Sequence, residues 1–160
     1  MREVGHLAIG PLRFSLRRGA GRLVRYAAPA YADFYMQDGP PPVLSPLCGM
    51  RVDIVEPITA IPLGEPIWRA GGNWAAWEAG DDLVFRSGIQ APAESQMTCR
   101  VARDLSQAEL APAPSSWVAG VCESPLRYPM DQILTWGMLS RIGGALLHAA
   151  VAVRDGTGWV

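Results

Sequence analysis

Proline and glycine constrain this chain more than any other feature. Fourteen prolines and 17 glycines are spread through 160 residues. Proline removes the N–H that a helix or a sheet ladder needs, and a glycine inside a helix costs about 1 kcal/mol relative to alanine. Long helices are therefore excluded, and short strands joined by tight turns are expected. Apolar residues make up 49% of the chain, enough to build a core and to rule out disorder of the whole chain.

The pattern along the chain gives several elements. Leu12-Arg13-Phe14-Ser15-Leu16-Arg17 alternates apolar and polar, which predicts a strand. Leu23, Ala27, Ala30, Tyr31 and Phe34 recur at helical spacing, and Pro29 inside that pattern predicts a short or broken helix. Residues 51–55 read as a strand. Residues 73–78 and 83–86 flank Ala79-Gly80-Asp81-Asp82 and predict a hairpin, with 97–103 adding another strand beside it. These strands together predict a small antiparallel sheet. Ala111-Pro112-Ala113-Pro114-Ser115-Ser116 reads as a connector and marks the main boundary. Beyond it, Pro129 suits the first turn of a helix, Ile133, Trp136, Met138, Leu139 and Ile142 follow, and Gly143-Gly144 supplies a stop.

Charge and cysteine content remove several function classes. Fourteen basic residues against 15 acidic ones leave a net charge of −1, without the basic excess that nucleic acid or an anionic membrane surface needs. Every basic residue is arginine. The absence of lysine excludes a Schiff-base lysine, a lysine general base and a complete Walker A loop. Cys48, Cys99 and Cys122 form no CxxC pair, so no structural metal site is expected, and three thiols suit a reducing compartment. Met1-Arg2-Glu3-Val4-Gly5-His6 carries an early acid and does not begin a signal peptide. Residues 110–122, the longest stretch without a charged residue, fall short of the roughly 20 that a membrane span requires. A cytoplasmic protein is expected.

Leu147-His148-Ala149, Val151, Val153 and Asp155-Gly156-Thr157-Gly158-Trp159-Val160 carry a resemblance. Gly156 and Gly158 stand eight and ten residues after His148. This spacing resembles the segment just before the P-loop in HPr kinase/phosphorylase-like proteins, and the helix from Pro129 to Ile142 resembles the one that leads into it. The resemblance implies a P-loop serine kinase related in fold to phosphoenolpyruvate carboxykinase, with ATP and Mg²⁺ as cofactors of the complete protein and a protein or peptide acceptor. It implies a catalytic role for His148 alone. The family's glycine-rich loop, its Lys and its Mg²⁺-holding acids are absent, so this chain binds no cofactor or metal of its own in this reading. The implied organisation is α+β. An accessory domain over 1–110 and a connector over 111–127 precede the first helix and strands of a kinase-like domain over 128–160, cut before the Walker A loop. The apolar strand over 146–153 and the turn at 155–158 suggest that more chain follows.

Two functions are consistent with these features. The first is the N-terminal part of an HPr-kinase-like enzyme, inactive alone. The second is a free-standing module that binds a protein or peptide. The apolar face carrying Leu147, Val151 and Val153 also predicts self-association into a homo-oligomer. Other candidates have bland readings beside them. Trp74 and Trp77 form a base-stacking platform or pack a sheet face, and without a basic groove packing is the default. Asp81-Asp82 reads as a metal pair or as solvated turn residues. Asp53 and Glu56 read as paired carboxylates or as surface acids. Gly19-Ala20-Gly21 with Arg17, Arg18 and Arg22 reads as an anion loop or as a basic turn. Cys99 and Cys122 have no histidine near them in sequence to activate them.

Overall fold

The structure, a computed structural model, describes residues 2–19, 23–25, 35–36, 46–56, 64–145, 152–154 and 157–159. The chain begins with β1 (Arg2–Ile9) and β2 (Leu12–Arg18), joined through Gly10 and Pro11. Gly10 has φ +55°, the left-handed value that suits glycine at the first position of a two-residue hairpin loop. Short strands β3 (Leu23–Arg25) and β4 (Tyr35–Met36) come next, then β5 (Gly49–Ile54) and β6 (Trp68–Ala70). Strands β7 (Trp74–Ala79), β8 (Asp82–Ser87), β9 (Met97–Ala102) and β10 (Gln107–Ala111) form a meander. Beyond it lie β11 (Trp117–Val118), β12 (Val121–Glu123), the helix α1 (Met130–Arg141), β13 (Ala152–Arg154) and β14 (Thr157–Trp159).

Nine strands join in one mixed sheet, in the order β4-β1-β2-β5-β10-β9-β8-β7-β6. Strand β5 lies parallel to both of its neighbours, β2 and β10, while the other pairs in this sheet are antiparallel. A three-stranded sheet, β11-β12-β3, and the β13–β14 hairpin complete the described strands.

Period-2 alternation divides the sheet into two faces. Leu12, Phe14 and Leu16 on β2, Met50, Val52 and Ile54 on β5, and Ala108 and Leu110 on β10 are all buried on one face. Helix α1 covers that face through Met130, Ile133, Leu134 and Met138, which belong to the same apolar cluster as Leu7 and Phe14. Asp131 in the first turn and Arg141 in the last oppose the partial charges of the helix ends. The helix stops at Gly143, φ +71°, and the Gly144 N–H returns to the Leu139 carbonyl at 2.8 Å. Leu105, in the β9–β10 turn, lies against Gly137, where an added Cβ would meet its Cδ1 at 3.2 Å. Asp104 shapes that turn by accepting from the Ser106 N–H at 3.0 Å and from its Oγ at 2.7 Å, and these bonds hold its carboxyl below the ordinary range.

The expected fold class, a small antiparallel sheet followed by the first helix and strands of a P-loop kinase domain, is corrected here. The sheet is large and mixed, and the α-helix of the described residues packs on that sheet instead of opening a separate kinase architecture. The error has a physical source: parallel pairing of β5 with β2 and β10 joins segments far apart in sequence, and local patterning carries no record of such partners. The helix expected from Leu23 onward does not include its first residues, because Leu23–Arg25 is a strand paired in parallel with β12. Residues 26–34 lie outside the described residues. Residues 111–113, in the expected connector, are buried, and β11 and β12 fall within 111–127.

The two faces of α1 give a direct test. Leu134 is 1% exposed and Trp136 is 44% exposed. Leu134→Ala is expected to cost about 2–5 kcal/mol in urea unfolding, through lost burial and the cavity left behind. Trp136→Ala should stay within about 1 kcal/mol. Equal losses at the two positions would contradict the assigned helix face.

Candidate functional site

The sheet face opposite α1 carries the charge. The alternation that buries Leu16, Val52, Leu110 and Val101 turns Arg17, Asp53, Glu109 and Arg100 the other way. Register then sets these four side by side. Arg17 pairs with Asp53, Asp53 with Glu109, and Glu109 with Arg100. The row runs across four adjacent strands, β2, β5, β10 and β9, in the order positive, negative, negative, positive. Val84 and Trp77 continue it on β8 and β7.

Most of these charges have partners. Arg17 Nε lies 3.4 Å from Asp53 Oδ1, and Arg51 Nε lies 3.5 Å from Asp53 Oδ2. Arg100 Nε donates to Asp82 Oδ2 at 2.6 Å, and Arg51 donates to the Gln107 side-chain carbonyl. Asp53 Oδ1 is buried and makes no hydrogen bond among the described residues. Glu109 differs: it stands opposite Asp53 and beside Arg100 with no ion pair to any described residue. Like charges directly opposite each other on neighbouring strands are destabilising. The Asp53–Glu109 pair sets two acids against each other on this face, the first partly buried and the second exposed.

The row borders an open hollow of about 320 Å³, lined by Arg51, Asp53, Asp82, Arg100, Gln107 and Glu109. Its walls are polar and charged, with both signs available within a few ångströms. Such a surface suits a charged or zwitterionic partner and offers little to an apolar one.

The sequence candidates distribute as follows. His148 lies outside the described residues. Asp82 reaches the charged face through Arg100, while Asp81 is exposed in the hairpin turn. Asp53 joins the row, and Glu56 lies beyond the end of β5, so the two do not act as paired carboxylates in one strand face. Arg17 belongs to the row; Ala20, Gly21 and Arg22 lie outside the described residues. Trp74 and Trp77 do not share a face. Trp74 packs edge-on to Trp68 at 4.5 Å, whereas Trp77 donates from Nε1 to the Gly64 carbonyl at 2.9 Å and sits 5.9 Å from the Arg86 guanidinium. No stacking platform forms from that pair. All three cysteines are buried as free thiols, and burial, with Glu109 nearby, pushes the Cys99 thiol up to about 12, far from a reactive thiolate.

Two features escaped sequence reasoning. Glu109 was invisible as a site residue because only the parallel β5–β10 register places it against Asp53. His6, 3% exposed, meets Ser15, with the Ser15 Oγ 3.3 Å from Nδ1. That contact ties β1 to β2. Among the described residues no three His, Cys, Asp or Glu side chains are grouped to hold a metal ion, and no helix is long and apolar enough to cross a membrane.

No family model, curated protein or solved structure matches the chain.

The Asp53–Glu109 opposition makes a prediction about stability. Glu109→Gln keeps the shape of the side chain and removes the repulsion, so it is expected to raise the unfolding free energy in urea by up to about 1 kcal/mol at low salt. A loss of stability of that size would show that Glu109 supports the fold.

Proposed function

We propose that this chain is the accessory, N-terminal part of an HPr-kinase-like ATP-dependent serine kinase, and that it presents a protein or peptide acceptor instead of carrying the phosphate chemistry. The observation that supports this reading is the hairpin near the C-terminal end. Ala152 pairs with Trp159, Val153 with Gly158 and Arg154 with Thr157, so the described part of the stretch whose glycine spacing resembles the family is an antiparallel strand pair. His148 would be the residue nearest the chemistry by that resemblance. ATP and Mg²⁺ would be held by residues that this chain does not contain, since a chain with no lysine has no Walker A Lys.

A second reading, a free-standing module that binds a protein or peptide without catalysis, is favoured by a different observation. Strands β1, β2, β5, β9 and β10 and helix α1 share one apolar cluster and leave a charged sheet face open. Both readings use that face for a peptide, and they differ in whether phosphate is transferred.

The test is to express the chain together with whatever its reading frame encodes after Val160. The expected result is a Gly-x-x-Gly-x-Gly-Lys-Ser/Thr-like stretch within the next ten or so residues and transfer of phosphate from ATP to a serine peptide by the extended protein. Transfer should fall when His148→Ala is introduced. A stop codon after Val160, or an extended protein with the loop but without transfer, would overturn the kinase reading in favour of the module.

A further inference from the structure

The order of charges across the sheet specifies more than a generic polar surface. Neighbouring strands lie about 4.8 Å apart, so Arg17 and Arg100, separated by three strand intervals, stand about 14 Å apart along the row. Two carboxylates lie between them. Asp53 is served by Arg17 and Arg51, but the Glu109 carboxylate has no cation of its own among the described residues. The group that the row lacks is therefore a cation above Asp53 and Glu109, which would remove their mutual repulsion. Arg17 and Arg100 are each partly exposed, so anions placed above them would meet accessible guanidinium groups beside the pairs these already make with Asp53 and Asp82.

An extended peptide has the matching dimension. Its residues rise about 3.3–3.4 Å each and alternate faces, so residues i, i+2 and i+4 point the same way and span about 13 Å. We infer that this sheet face binds an extended peptide segment with the pattern acid-x-base-x-acid, laid across the strands, its basic side chain over Asp53 and Glu109 and its acids over Arg17 and Arg100. The occupant is a peptide rather than a single amino acid, because one zwitterion cannot reach both ends of the row. The two edges of the nine-stranded sheet offer less, since β4 and β6 are two and three residues long and Pro66 lies just before β6. The inference rests on the reading that this chain holds a peptide and not on phosphate transfer.

A fluorescently labelled Gly-Glu-Ser-Lys-Ser-Glu-Gly peptide, titrated with the full chain and followed by anisotropy, tests it without any nucleotide. Saturable binding that weakens with added salt is expected, and the charge-reversed Gly-Lys-Ser-Glu-Ser-Lys-Gly peptide should bind more weakly. Glu109→Gln should weaken binding of the first peptide about fivefold, the size of one exposed charge pair. Glu109→Arg should shift preference toward a peptide with glutamate at its centre, a result that loss of folding cannot imitate. Equal binding of the two peptides, no binding of either, or no response to both Glu109 variants would overturn the inference. A failed titration with working phosphotransfer would sink only the peptide pattern, and the reverse outcome would sink only the kinase reading.

Discussion

The parallel seating of β5 between β2 and β10 is the constraint on which the rest of the structure depends. It places Met50, Val52 and Ile54 in the middle of the apolar face, where α1 covers the sheet. The same registers set Asp53 between Arg17 and Glu109 on the opposite face. One pairing thus fixes both the core and the charged row. A shift of one residue in β5 would turn Asp53 inward and Val52 outward, so burial of the core also locks the geometry of the candidate site.

Local elements were legible in the sequence because their signals are local. The alternation over 12–17 became β2, the Gly80-Asp81 corner became the β7–β8 turn, and Pro129 with Gly143-Gly144 bracketed α1. The wider architecture was not legible. Strands β5 and β10 are separated by the whole β6–β9 meander, and nothing in either strand names its partner. Strand β1 was missed for a different reason: Gly5 and three early charged or ionisable side chains obscure its alternation, and a register shift between Glu3 and Gly5 interrupts it. At 23–25, apolar residues at helical spacing misled because three residues of strand contain too few positions for a period to declare itself.

The candidate site was legible only in pieces. Asp53, Asp82 and Arg17 each drew attention, but as members of groups set by sequence proximity. The structure regroups them by register, which brings in Glu109 and Arg100 and leaves Asp81 and Glu56 outside. The tryptophans show how far elementary periodicity can go. Residues three apart in a strand face opposite ways, so the positions of Trp74 and Trp77 in the predicted strand already argued against a shared stacking surface.

Asp53 and Glu109 stand opposite each other on β5 and β10, so two carboxylates on this face are expected to repel each other in the free protein. A double-mutant cycle of Asp53→Asn and Glu109→Gln, read by urea unfolding at low and at high salt, tests this most directly. The account predicts a coupling of repulsive sign, about 0.2–1 kcal/mol at low salt and smaller at high salt. A coupling of zero at low salt, or one of attractive sign, would show that the two carboxylates do not sense each other and would contradict the account.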